Sequence, residues 1–209
     1  MSEQDRNKWN QRYTEDKYQK NNPVTLVEDW LPRLPVGRTL DVACGAGRNA
    51  LLLAQAGFNV DAIDISRVGL NQARQKAEKL GLNINWIEHD FDQPYKFDTD
   101  YDLIIVLWYV NPVLITRLCN CLAPGGYLLC EEHLITDREV IGPTCSNYRV
   151  APGELRKAVS GVDILLYEES VYMNAKCEQV ASARVVAKKT WHPQGNRGQY
   201  TVILETIEI

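Results

Sequence analysis

The sequence has no long apolar run. No stretch of its 209 residues approaches the roughly 18 consecutive apolar residues of a bilayer-spanning helix, so no membrane partner is expected. The opening residues, MSEQDRNKWNQRY, carry no apolar stretch behind a basic start, so no secretory leader is expected either. Histidine is scarce: His89, His133 and His192 are the three present. They share no metal-ligand spacing with cysteine or acidic residues, so no metal is expected. The six cysteines, Cys44, Cys119, Cys121, Cys130, Cys145 and Cys177, form no C-x-x-C pair. Cys119 and Cys121 read as helix core filler. A domain of this size needs no disulfide staples, and unpaired thiols in a cytoplasmic protein are expected. Basic residues are not in excess: 23 Lys and Arg against 27 Asp and Glu give a net charge of -4. That excludes a broad electropositive footprint for nucleic acid. There is also no P-loop, no G-x-S-x-G elbow, no internal repeat and no linker.

What is present is an ordinary globular composition, 45% hydrophobic and 24% charged, and a strong alternation of strand and helix patterns. TLDVAC (39–44) is a short apolar strand ended by glycines. Residues 48–56 are helix-forming, and Gly57 stops them. NVDAID (59–64) is a second strand. Ser66 caps a helix whose face is Leu70, Ala73, Ala77 and Leu80. INWIE (84–88) and YDLIIVL (101–107) are the third and fourth strands. Leu114, Leu118 and Cys121 mark a helix broken by LAPGG, and residues 126–132 form a fifth strand. Strands that are apolar on both faces and separated by helices predict an α/β protein with a doubly wound parallel sheet. The ending differs. After a helix opened by Pro152, runs 163–173 and 179–188 are joined by too short a connection for a parallel crossover, so they pair antiparallel. YTVILETIEI alternates again and predicts a further strand at the C-terminus. In the N-terminal part, Trp9 and Tyr13 share a helix face, and residues 24–34 hold a second short helix.

The sharpest motif is LDVACGAGRN (40–49), placed between a strand and a helix. Gly45 and Gly47 permit a tight turn and a close backbone approach to a ligand. With Ala50 they spell G-x-G-x-x-A, which admits a dinucleotide site or a turn with no ligand. Asp41 lies inside the strand, where a carboxylate is costly without a partner. Asp64 ends the second strand, in the place of a ribose reader. Asp90 follows the third. Each alone suits a cap or turn; three at the ends of successive strands converge on one ligand site.

DVACGAGRN, VDAID, HD, YDLIIVL and LAPGGYLL, in that order over residues 39–132, resemble the motif set of the class I S-adenosylmethionine-dependent methyltransferases. WNQRY (9–13), CGAGRNALLLA (44–54) and PGEL (152–155) are similar to the small tellurite-resistance and thiopurine-type enzymes. The resemblance implies a Rossmann-like, mostly parallel seven-stranded sheet with an antiparallel C-terminal hairpin. It implies an N-terminal helical cover (1–38), a cofactor-binding domain (39–188) and a strand extension (189–209). Asp41, Gly45 and Gly47 then shape the pocket for the methionine part, with Ala43 standing where a glycine is common. Asp64 holds the ribose, Ile65 packs on the adenine, Asp90 accepts from its amino group and Phe91 lies beside it. Leu107 and Trp108 border the methyl donor. Trp9, Arg12 and Tyr13 form a cover over the cofactor, simple helix packing being the other reading of Trp9 and Tyr13.

The implied activity is methyl transfer to a small-molecule acceptor by a monomer or homodimer. Such chemistry asks mainly for in-line positioning and exclusion of water. For an oxygen or nitrogen nucleophile a base helps, and Glu131, Glu132 and His133 are placed for it. Tyr148 lies in a lid-like segment (134–151), where Arg149, with Arg48, is placed to attract an anionic substrate. The rival readings are an NAD-dependent oxidoreductase and a non-catalytic binding module of the same fold.

Overall fold

The computed structural model describes residues 3–15, 22–174 and 176–190. Seven strands form one sheet: β1 (Arg38–Val42), β2 (Asn59–Asp64), β3 (Asn85–Glu88), β4 (Tyr101–Leu107), β5 (Leu122–His133), β6 (Asp163–Met173) and β7 (Gln179–Lys188). Their order is β3-β2-β1-β4-β5-β7-β6. The first five pair in parallel. β7 runs antiparallel to both β5 and β6, so the C-terminal hairpin closes one edge. The chain leaves β1 toward β2 and β3, then returns to the other side of β1 with β4. The strand order therefore reverses between β1 and β4, which opens a crevice at their carboxyl ends.

The helices are α1 (Glu3–Thr14), α2 (Thr25–Trp30), α3 (Arg48–Gln55), α4 (Arg67–Lys79), α5 (Pro112–Asn120) and α6 (Glu154–Ala158). Both sheet faces are covered. Leu40, Val42, Ile104, Val106 and Leu128 pack in one cluster with Leu114, Ile115 and Leu118 of α5 and Leu155 of α6. Val60, Ala62, Leu103, Ile105 and Leu129 pack in the other with Val27 of α2, Leu53 of α3 and Leu70 of α4. This two-sided burial explains why the central strands lack polar alternation.

Several expectations shift. Leu80 is 52% exposed, because α4 ends at Lys79 and Leu80 is its cap. Cys119 is buried, whereas Cys121 follows the end of α5 and is half-buried. LAPGG belongs to β5 rather than to a break before it. Leu122 pairs with Tyr101 and Tyr127 with Leu103, so the residues between bulge out of the ladder; Pro124 has no N–H to give it. The strand expected at the C-terminus, YTVILETIEI, lies outside the described residues.

Candidate functional site

A cleft sits at this crevice, the usual ligand position in an open α/β sheet. Asp41, Ala43, Cys44, Gly45, Ala46 and Arg48 of the β1–α3 turn line one part of it. Asp64 and Ile65 at the end of β2, Phe91 after β3, and Leu107, Trp108 and Tyr109 after β4 line the rest. Trp9 and Tyr13 of α1 close it from above.

α1 is held over the cleft by specific bonds. Asn10 Oδ1 accepts from Ser66 Oγ at 2.8 Å and from Val68 N at 3.2 Å, and Gln72 Nε2 donates to the Tyr13 carbonyl at 3.0 Å. Ser66 Oγ also accepts from Gly69 N, so one serine caps α4 and joins it to α1. The Trp9 and Tyr13 rings stack, with centroids 6.2 Å apart, and the Arg12 guanidinium lies 4.8 Å from the Trp9 ring centroid. Arg12 is not part of the cleft wall.

Asp64 is 7% exposed. Its Oδ2 accepts from Gly45 N at 2.8 Å and its Oδ1 from Ser66 N at 2.7 Å. The carboxylate thus ties the glycine turn to the start of α4. Burial pushes its pKa up to about 6, against these backbone donors, which favour the charged form. Asp41 is 1% exposed, and its Oδ2 is buried with no hydrogen-bond partner among the described residues. Burial and the charge of Asp64 push its pKa up to about 8. Asp90 is buried and accepts from Asp92 N at 3.0 Å; Phe91, not Asp90, reaches the cleft wall.

The two glycines do different work. A Cβ on Gly45 would strike the Tyr13 hydroxyl, inside the cleft. A Cβ on Gly47 would stand 2.7 Å from Trp86 Cη2 and 2.8 Å from Ala73 Cβ. Gly47 therefore permits α3, α4 and β3 to pack closely and does not face the ligand space. Ala43 has φ +55 and Trp108 φ +63, a left-handed backbone in two non-glycine residues of the cleft wall.

The expected acceptor-side residues separate. The His133 ring packs on Trp108, with centroids 4.4 Å apart, and so adjoins the wall. Tyr148 is 42% exposed and meets Lys8 of α1, whose Nζ lies 5.0 Å from its ring centroid. Arg149 does not face the cleft. Its guanidinium donates to the carbonyls of Pro143 at 2.7 Å, Leu134 at 2.9 Å and Ile141 at 3.5 Å, and so straps the 134–150 segment. Its donors are turned to backbone carbonyls and not to the cleft, where a substrate-attracting cation was expected. Among the described residues, no group of three His, Cys, Asp or Glu side chains is placed to hold a metal ion. No described helix is long and apolar enough to cross a membrane.

Residues 39–126 match the family model described as a methyltransferase domain. That match covers less than half of the chain. The chain is 28% identical over 168 residues to the probable S-adenosyl-L-methionine-dependent methyltransferase TehB of Haemophilus influenzae (strain 10810), covering 75% of this chain and 58% of that protein. It is 34% identical over 129 residues to the putative methyltransferase YqeM of Bacillus subtilis (strain 168), covering 56% of this chain and 52% of that one. The chain thus spans little more than half the length of these curated relatives. The crystal structure of TehB from Haemophilus influenzae superposes with a TM-score of 0.72 at 24% identity, over 86% of this chain and 66% of that one.

Several residues of the cleft wall were not foreseen as site residues. Cys44 and Ala46 lie within the glycine motif itself. Asn49 also lines the cleft, and its Oδ1 accepts from Val24 N at 2.9 Å, joining α2 to α3. Tyr109 follows Trp108 directly and was within reach of the same reasoning. Its N–H donates at 3.2 Å to Glu132, a contact between strands that no local pattern reveals.

Proposed function

We propose that the whole chain is an S-adenosylmethionine-dependent methyltransferase acting on a small-molecule acceptor. The observation that carries this reading is the buried, unpartnered Asp41 Oδ2 beside Asp64 in the cleft at the strand-order reversal. A buried carboxylate pair needs a ligand that brings hydrogen-bond donors and positive charge, and this cofactor brings both. Asp64 would take the ribose hydroxyls and Asp41 the amino-acid end, in the turn shaped by Ala43 and Gly45. Ile65 and Phe91 would flank the adenine, with Asp90 behind Phe91 as the acceptor for its amino group. When bound, the cofactor supplies a methyl group activated on a sulfonium centre.

The chain's own part is positioning and exclusion of water. Leu107 and Trp108 wall the reacting end. Trp9 and Tyr13 close the cleft from above, with Arg12 stacked on Trp9. Residues 1–38 act as a cover for the domain 39–188. Two exposed cysteines, Cys145 and Cys177, are free, which suits a reducing cytoplasm. The net charge of -4 argues against a nucleic-acid acceptor.

Calorimetry with S-adenosylhomocysteine and with NAD tests the reading. Micromolar affinity for the first and none for the second is expected; the reverse would overturn it in favour of the oxidoreductase. Release of S-adenosylhomocysteine in a screen of small nucleophiles separates an enzyme from a non-catalytic binding module.

A further inference from the structure

The sheet face that carries Leu107 continues beyond the cleft wall. Leu107 pairs with Glu131 on β5, and Glu131 pairs with Arg184 on β7, so the three side chains stand in one row on one face. His133, two residues on, shares that face and packs on Trp108. Ser182 lies opposite it on β7.

Glu131 is 1% exposed. Its Oε1 is clamped: Arg184 Nε donates to it at 2.9 Å and Tyr172 Oη at 3.3 Å. Its Oε2 is buried and has no hydrogen-bond partner among the described residues. The Ser182 hydroxyl, in the next row, is likewise buried and unpartnered. A carboxylate oxygen left bare in the interior is costly, and buried polar atoms are otherwise almost always bonded. Here the bare oxygen belongs to the residue paired with Leu107, one strand from the cleft.

The groups nearby favour one class of ligand. Arg184 is committed to Glu131, and Arg149 to three carbonyls. Arg48, the cation of the cleft wall, donates to the Asn22 carbonyl, and its charge acts on Asp41. The carboxyls of Asp41, Asp64, Glu131 and Glu132 are all buried. Glu131 Oε2 can only accept a hydrogen bond, and an oxyanion without a proton has none to give. The wall between them is apolar and aromatic: Phe91, Leu107, Trp108 and Tyr109.

We propose that Glu131 Oε2 anchors the methyl acceptor by taking a hydrogen bond from its nucleophilic N–H, O–H or S–H group. The acceptor is then an amine in its neutral form, an alcohol or a thiol, with an apolar body, and not an oxyanion. This rests on the methyltransferase reading above.

The test uses the full chain saturated with S-adenosylhomocysteine. Matched probes are titrated by calorimetry: benzylamine, benzyl alcohol and phenylmethanethiol against benzoate and phenylphosphonate. At least one protic probe is expected to bind tenfold more tightly than either oxyanion. Glu131→Gln is expected to weaken that probe at least tenfold while S-adenosylhomocysteine affinity stays within threefold. A panel without a protic preference overturns the proposal, as does unchanged probe binding in the variant. The comparison in the unmodified protein decides even if the variant does not fold. Failure of S-adenosylhomocysteine itself to bind overturns the methyltransferase reading instead.

Discussion

The hydroxyl of Tyr13 stands in the space that a Cβ on Gly45 would need. The glycine turn and the N-terminal cover are therefore fitted to one another across the cleft. Gly45 also has φ +59, where a side chain costs about 1–2 kcal/mol. Gly45→Ala is expected to lower the melting temperature and to weaken S-adenosylhomocysteine at least tenfold. Part of the lost affinity should return in a Tyr13→Phe background, where the displaced hydroxyl is gone. A double-mutant cycle by calorimetry measures this, and equal losses in both backgrounds would show that the cover plays no part.

Asp64→Ala is expected to weaken S-adenosylhomocysteine by about 1.5–3 kcal/mol, the range for a hydrogen bond to a charged group. From the sequence alone the fold should be indifferent to this change, since the side chain faces a ligand. The bonds from Gly45 N and Ser66 N alter that expectation. Removing the carboxylate leaves two buried backbone donors unpaired, so the melting temperature should fall as well. Lost affinity at unchanged stability would mean that water takes over both donors.

Much of this arrangement is legible in the residues. NVDAID, YDLIIVL and the runs 163–173 and 179–188 coincide with β2, β4, β6 and β7. Apolar runs between glycines, and a connection too short for a crossover, leave those segments few alternatives. Asp41 and Asp64 line the cleft as the sequence led one to expect, since a carboxylate in or at the end of an apolar strand needs a partner, whereas Asp90 is absent from its wall. Arg149 and Glu131 were not. Both lie where a loop or strand end looks solvated, and their roles come from partners distant in sequence. Arg149 meets carbonyls that only the folded loop assembles, and Glu131 meets Arg184 through the antiparallel register. Gly47 was misassigned because its motif shows a missing side chain without showing whether a ligand or Trp86 fills the space.

The carboxyls of the cleft make stability depend on pH. In the unfolded chain aspartates ionise near 3.8, whereas burial raises Asp64 to about 6 and Asp41 to about 8. The folded state therefore binds more protons between these limits. The stability contributed by the neutral carboxyls is full below about pH 4 and is lost as pH rises through the folded values. Glu132, raised by burial and by Glu131, adds in the same direction. The ligand-free protein should lose stability on the order of several kcal/mol between about pH 5 and 8.5. Asp41→Asn should flatten the upper part of that fall. Thermal melts across pH measure it, and a flat profile in the unmodified protein would refute it.

Ala43 holds φ +55 where glycine would sit without strain. Ala43→Gly is expected to stabilise the chain by about 0.5–1 kcal/mol, the relief of a left-handed conformation outweighing the added freedom of the unfolded chain. That corresponds to a rise of roughly 2–4 °C for each 1 kcal/mol in a chain of this size. Scanning calorimetry reads the shift, and a lowered melting temperature would show that the alanine methyl contributes more by packing than its backbone costs.

Arg149 tests the difference between a substrate-attracting cation and a strap. Its planar fork donates to three carbonyls of the loop that links β5 to α6. Lysine keeps the charge but not the fork, so Arg149→Lys separates charge from geometry. If the residue is a strap, the variant loses about 1–3 kcal/mol through carbonyls left unpaired. Proteases should then cut faster within residues 135–148, while S-adenosylhomocysteine affinity stays unchanged because Arg149 is absent from the cleft wall. If the residue attracts substrate, lysine preserves much of the function and the loop stays resistant to cleavage. Limited proteolysis and calorimetry on the same variant distinguish the two outcomes, and an intact loop at full stability would return Arg149 to the substrate side.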